Sequence, residues 1–360
     1  MKNNKDNLFG YIFILPFLLL FVSFLLYPFG KLFYISFFEW NIMAVAMDPA
    51  NAIYVGFENY YYLLAGEGVW FNISVFFTPI KIITFSILTI SLYYFYTKEI
   101  LKNNIGLIFF FFYAYVVYFV HGIQPTEDAY WNDDVFWKSI RNTMVMDFFS
   151  AYAITFIALL IAIGTNHTGK IYIVIRTLFW ATGGVGVAAL SIIMVQIFNT
   201  YGGITSNFLN FFGFKNFPFF INMNGSRFVV IFATVWWAIS LPIMLFLAAL
   251  QQIPEERYEA AKIDGATKSE IFWHITLPGI ARMFLLVSLL QIISHWQIFG
   301  QANIMTSGGP ADATRTVVLM AYDYAFRDME MGQGAAVSVI LFFIIGFFVF
   351  VQFKTFKENE

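Results

Sequence analysis

The chain has 360 residues, of which 60% are hydrophobic and only 12% charged, with a mean hydropathy of +0.71. Soluble domains carry about 25% charged residues, so this composition describes a polytopic membrane protein and excludes a large soluble core. A net charge of −2 offers no basic stripe for nucleic acid, and the lack of cysteine excludes disulfides, thiolate metal sites and cysteine nucleophiles.

In chain order, Lys2 and Lys5 precede an apolar run too long for a signal-peptide core, and no small-x-small cleavage site follows it. It is expected to persist as a first membrane helix. Eight apolar segments are expected to span as helices, because lipid cannot satisfy free backbone groups: 9–37, 73–96, 105–121, 143–163, 174–198, 228–250, 281–302 and 333–353. An all-α polytopic fold follows, one transmembrane domain over 1–353 with a short cytoplasmic tail at 354–360. Eight spans return both termini to one side. That side holds Lys2, Lys5, Lys98, Lys102, Lys170, Arg257, Lys262, Lys268, Lys354 and Lys357. The other side has fewer basic residues and two acidic loops, so the termini and the 251–280 loop are expected in the cytoplasm.

Asp147, in the fourth span, is expected to pair with a basic residue, Lys81 being the candidate. The run Gly164–Lys170 reads GxxxxGK, but Ile171 replaces the Ser or Thr that would hold magnesium, and a membrane helix precedes it instead of a strand. It is rejected as a nucleotide site. In the sixth span Trp236, Trp237 and Ser240 are candidate solute contacts. The seventh carries Gln291, Ser294, His295, Trp296 and Gln297; at about 100° per residue Gln291, His295 and Ile298 share a face, with Ser288 beside it. Their amide and imidazole groups suit sugar hydroxyls, and Trp296 or Trp237 would stack on an apolar sugar face. The alternative is hydrogen bonding to neighbouring helices. No catalytic or metal-binding constellation is expected: the four histidines lack HxxxH spacing.

The 251–280 loop is the one densely charged island. Pro254, Glu255 and Glu256 suit a helix start, Gly265 a left-handed stop, and Thr267 a second start. Two short helices are expected there. Small Ala260 and Ala261 beside Glu259 fit either a protein-docking surface or a solvated loop on headgroups. The spacing is Glu259-Ala260-Ala261, three residues, Gly265, nine residues, then Ile275-x-Leu277-Pro278.

This spacing resembles the EAA motif of permease subunits in bacterial ABC importers at every fixed position. The likeness extends to the carbohydrate and glycerol-phosphate branch related to the larger maltose-permease subunit. It is carried by Leu15-Pro16, Tyr27-Pro28, Val55–Tyr60, Phe136-Trp137, Arg141-Asn142-Thr143, Leu250–Pro254, Met305–Pro310 and Gly332–Ala336. The resemblance implies a six-helix type I permease core; the chain departs from it by about 65 extra residues between Tyr60 and Phe136, which hold two apolar runs and are read as an inserted two-helix membrane hairpin at about 68–135. It implies no catalysis by this chain and no cofactor of its own, ATP and magnesium being held by a cytoplasmic ATPase dimer. The other implied partners are a second permease, an extracytoplasmic solute-binding protein, a small polar solute and membrane lipid, in a bacterial inner membrane. Glu259, Ala260, Ala261, Asp264 and Gly265 would couple to the ATPase; matching without gaps places solute contacts on Gln291, His295 and Ile298. The spans hold no arginine cluster, which argues against a phosphorylated solute. The competing expectations are a membrane enzyme for lipid-linked substrates, using Asp147, His121 or the acids at 127–134, and a stand-alone secondary transporter coupled through Asp147.

Overall fold

The computed structural model describes residues 4–67, 72–97, 100, 105–123, 130–214 and 217–357. Helices α1 (Asn4–Phe21) and α2 (Tyr27–Ile35) are joined by a π-helical turn, Val22–Leu26. The antiparallel pair β1 (Phe38–Glu39) and β2 (Ile53–Tyr54) brackets α3 (Ile42–Met47), and α4 (Glu58–Leu64) follows. A second pair, β3 (Gly66–Glu67) with β4 (Tyr130–Trp131), encloses α5 (Pro79–Thr97) and α6 (Ile105–Val120). Then come α7 (Asp134–Thr165), α8 (Lys170–Thr182), α9 (Val187–Ile197), α10 (Ile204–Phe211), α11 (Met223–Ala238) and α12 (Ser240–Leu250). The chain ends with α13 (Glu255–Ile263), α14 (Lys268–Ile271), α15 (Leu277–Gly279), α16 (Ala281–His295), α17 (Gly300–Thr306), α18 (Val317–Tyr322) and α19 (Met331–Lys357).

Four helical stretches are long and apolar enough to cross a membrane alone: Phe13–Ile35, Pro79–Thr97, Asp134–Thr165 and Met331–Lys354. Three bent pairs raise the number to as many as seven: α8 with α9 at 99°, α11 with α12 at 48°, and Lys268–Gly279 with α16 at 68°. The expected straight helices over 174–198 and 228–250 are therefore broken. Gly183, Gly184 and Gly186 interrupt the first, glycine being a poor helix former. Pro242 lacks the N–H that would bond the Ala238 carbonyl, at the second break. Proline also explains two π-helical turns. Pro28 and Pro278 cannot donate to Phe24 and His274, and the helix widens over Val22–Leu26 and Phe272–Thr276 just before each.

The chain forms two compact units, Met1–Ala65 with Met320–Phe343, and Gly66–Leu319 with Ile344–Glu360. In the first unit every described side chain from Phe13 to Pro28 is exposed, an apolar surface suited to lipid. Asn59 clamps its chain reversal by donating to the Ser36 and Phe38 carbonyls, both at 2.9 Å. The second unit holds the main core, where Ile154, Ala158 and Ala162 of α7 meet Ile243 and Phe246 of α12 and Phe284 and Val287 of α16. Leu107 and Phe111 of α6 join that core.

Asp147 departs from the sequence expectation. Its fully buried carboxylate accepts from the Tyr113 hydroxyl of α6, whereas the Lys81 ammonium lies over the Phe76 ring, 5.5 Å from its centre. The Gly164–Lys170 run is a helix-to-helix turn between α7 and α8, as its rejection as a phosphate loop requires.

Candidate functional site

A cavity of about 650 Å³ opens within the second unit. Trp237 at the end of α11 and Ser240 at the start of α12 line it, with Gln291 and His295 from α16 and Ile298 just beyond. Five of the residues singled out in the sequence thus share one cavity. The route differs from expectation, because α16 stops at His295 and Ile298 is not on its face. Thr316 Oγ1 donates to the Ile298 carbonyl at 2.7 Å and fixes the turned chain. The turn brings Ile298 and Gln301 to the cavity that Gln291 already faces.

The polar groups here have a consistent chemistry. His295 is 2% exposed, and its Nδ1 lies 2.6 Å from the Gln291 carbonyl. A carbonyl only accepts, so Nδ1 carries the proton, and in the neutral imidazole Nε2 is then an acceptor. Gln291 is 6% exposed, and its Oε1 has no hydrogen-bond partner among the described residues. Leaving such an oxygen unpaired costs about 1–3 kcal/mol. Two buried acceptors in a cavity that Trp237 also lines suit a ligand bearing hydroxyl donors and an apolar face. Trp237 is itself held, Nε1 donating to the Val185 carbonyl at 2.7 Å. Gly183 clears the Ser240 hydroxyl, which would collide with any Cβ there.

The other candidates divide between the cavity and the core. Trp296 is fully buried away from the cavity and donates from Nε1 to the Tyr113 hydroxyl at 3.1 Å. Ser288 takes a hydrogen bond from Gln352 Nε2 at 3.0 Å in the core. Trp236 is not part of the lining, whereas Ser294 and Gln297 are. Sequence reading missed Thr234 and Gln301, which also line the cavity. Thr234 lies one helical turn before Trp237, so i, i+3 spacing would have found it. Gln301 lay hidden beyond the break.

The 251–280 loop forms the expected two helical pieces. Pro254 stands at the N-cap position of α13 without a side-chain capping bond, and Glu255 and Glu256 lie in its first turn. The helix ends in a Schellman motif: Ala266 donates to Ala261 at 2.9 Å and Gly265 to Lys262 at 3.1 Å, with Gly265 at φ +78°. A capping box of Thr267 and Glu270 then starts α14. Glu259, Ala260, Asp264 and Gly265 are exposed and Ala261 is half-buried. Ile263 is 86% exposed. The loop is anchored from below. Tyr258 Oη and Thr276 Oγ1 lie 3.3 Å apart, and Trp273 packs edge-on against Phe95 of α5.

Residues 154–356 match the profile of the family described as "Binding-protein-dependent transport system inner membrane component". The chain is 31% identical over 228 residues to the multiple sugar-binding transport system permease protein MsmF of Streptococcus mutans, covering 63% of this chain and 78% of that protein. It is 31% identical over 229 residues to the sn-glycerol-3-phosphate transport system permease protein UgpA of Salmonella typhimurium, covering 63% and 76%. In fold it resembles a chain from the crystal structure of a bacterial ABC transporter involved in import of the acidic polysaccharide alginate. The TM-score is 0.66 at 15% identity, over 97% of this chain and 96% of that one. A second alginate transporter structure, in complex with a pentasaccharide-bound periplasmic protein, matches with a TM-score of 0.56 at 17% identity, over 61% and 77%.

Proposed function

The chain belongs to the family of inner membrane components of binding-protein-dependent transport systems, and on that premise we propose that it is one permease of an ATP-driven importer for a carbohydrate or related small polar solute. The observation that carries this reading is a mechanical one. The segment Lys268–Gly279 leads across a single residue, Ile280, into the helix that carries Gln291 and His295. A force on the exposed loop therefore acts on the wall of the cavity. In this reading Glu259, Ala260, Ala261, Asp264 and Gly265 form the face an ATPase dimer grips, and Ile263 is covered in the assembly. Gln291, His295, Ile298, Trp237 and Ser240 contact the solute.

The relatives' sugar and glycerol-phosphate substrates, together with the hydroxyl-seeking cavity, support the carbohydrate class. The family points to transport rather than to catalysis, with ATP and magnesium on the partner ATPase. The further partners in this reading are a second permease and an extracytoplasmic solute-binding protein, in the inner membrane of a bacterium, with both termini cytoplasmic. The single permease domain over 1–353 is read as eight spans: a six-helix core, with α5 and α6 as an inserted hairpin. Closure of the ATPase dimer would switch the cavity between the two sides by rigid-body movement of packed helices.

The test is co-purification. An ATPase subunit is expected to come with the chain in detergent and to be lost when Glu259→Lys or Gly265→Val is introduced. Retention of the ATPase and of solute uptake in both variants overturns the coupling assignment.

A further inference from the structure

The second unit contains another cavity, of about 320 Å³, lined where α7 and α11 begin. Its charged lining is strongly one-sided. Lys138 and Arg141 come from the first turns of α7, Arg227 from the start of α11, and His121 from just past α6. The one carboxylate on its wall, Asp312, is bound to Arg315 at 2.8 Å, and Lys138 pairs with Asp134, which lies outside the lining. Among the described residues neither Arg141 nor Arg227 has a carboxylate at ion-pair distance. Neutral acceptors orient them instead: Arg141 donates to the Ile123 carbonyl at 3.0 Å, and Arg227 to the Ala313 carbonyl at 2.8 Å and Asn142 Oδ1 at 3.0 Å. Each guanidinium has five N–H groups, so donors and full charge remain for a ligand. Both arginines are half-buried, where a pair of like charges is costly and an anion between them is welcome.

The position matters as much as the charge. At 100° per residue Arg227, Thr234 and Ala238 fall on one face of α11, and seven residues of rise place Arg227 about 10 Å from Thr234 along the helix. Thr234 and Ala238 line the larger cavity. The basic cavity thus sits further along the same helix face, toward the end of the α11–α12 pair opposite the 251–280 loop.

We propose that this basic cavity binds the anionic group of a solute, a carboxylate or a phosphate, before the solute's hydroxyls reach the larger cavity. The inference rests on the transport reading and narrows its solute to an acidic saccharide or a phosphorylated polyol. The expectation drawn from the lack of an arginine cluster in the spans does not reach this group, which is assembled from helix starts far apart in the chain.

The test uses the whole chain, purified into phosphatidylcholine nanodiscs and titrated with glucuronate, inorganic phosphate and, as uncharged counterpart, glucose. Glucuronate and phosphate are expected to bind at least tenfold more tightly than glucose. Arg141→Gln is expected to weaken both anions at least tenfold. Lys138→Gln, on a side chain 41% exposed, is expected to weaken them at least threefold, and keeps the test decisive if the arginine variant misfolds. Equal binding of glucose and glucuronate, or unchanged anion affinity in both variants, overturns the proposal. Nanodiscs containing phosphatidylglycerol separate solute from lipid: persistent binding of soluble anions assigns the cavity to solute, and its abolition assigns it to a headgroup and overturns the proposal. Failure of the transport reading is distinguishable, because no ATPase would then co-purify while anion binding to the chain stayed measurable.

Discussion

Gln291 is the residue whose chemistry and stability pull in opposite directions. Its buried oxygen has no hydrogen-bond partner among the described residues, and in the proposed reading a solute hydroxyl supplies one. Gln291→Met keeps the volume and removes the orphan acceptor. The expected outcome is a protein more stable by about 1 kcal/mol, with its half-saturation for uptake raised at least tenfold. Thermal unfolding and transport assays on the same preparation check both signs. A purely structural glutamine, tying α16 to a neighbour, would give lower stability instead. This site was legible in sequence because polar groups are scarce in an apolar helix, so Gln291 and His295 stood out. What was not legible was direction. Trp296 stood out equally, yet it points into the core, and no periodicity argument separates neighbours on a helix that ends at His295.

At the scale of the element, the two short helices of the 251–280 loop follow from local chemistry alone. A proline at the N-cap position, a glycine at positive φ and a capping box each act within a few residues, which is why their boundaries could be read directly. The breaks in α8–α9 and α11–α12 were equally local, at Gly183 to Gly186 and before Pro242, but the apolar runs around them read as continuous spans. The partner of Asp147 was beyond such reading, because it comes from a helix 34 residues away in the chain. Through Tyr113, α6 holds both the Asp147 carboxylate and the Trp296 indole, and Trp296 adjoins His295 in sequence. The pair α5 and α6 is therefore keyed into the core, with Phe95 of α5 also against Trp273. Tyr113→Phe is expected to cost about 1–3 kcal/mol by stranding a buried carboxylate, and Tyr113→Phe with Asp147→Leu to recover most of it. A double-mutant cycle on thermal stability checks this. Additive losses would mean that the hydroxyl and the carboxylate do not stabilise each other.

For the whole molecule, the proposed function makes sidedness the link between the loop, the cavities and the partner ATPase. The sequence argues it from basic residues alone, and the chain offers a clean way to measure it because it contains no cysteine. Single cysteines can be placed at three highly exposed positions, Met47, Phe211 and Ile263, each at 86% exposure. In intact cells a membrane-impermeant maleimide is expected to label Met47→Cys and Phe211→Cys, while Ile263→Cys reacts only after permeabilisation. Lys2→Cys, reporting the N-terminus, is expected to follow Ile263→Cys, since the proposed topology puts six spans, an even number, between them. Once permeabilised, Ile263→Cys should react several-fold more slowly when the ATPase is present than when it has been stripped away, because the proposed grip covers that side chain. Labelling of Ile263→Cys from outside would reverse the topology and remove the loop from reach of cytoplasmic ATP. Opposite sides for Lys2→Cys and Ile263→Cys would instead keep the loop's role and require an odd number of spans between them. The two results separate the direction of the chain from the number of its crossings, which the three bent pairs leave to be counted by experiment.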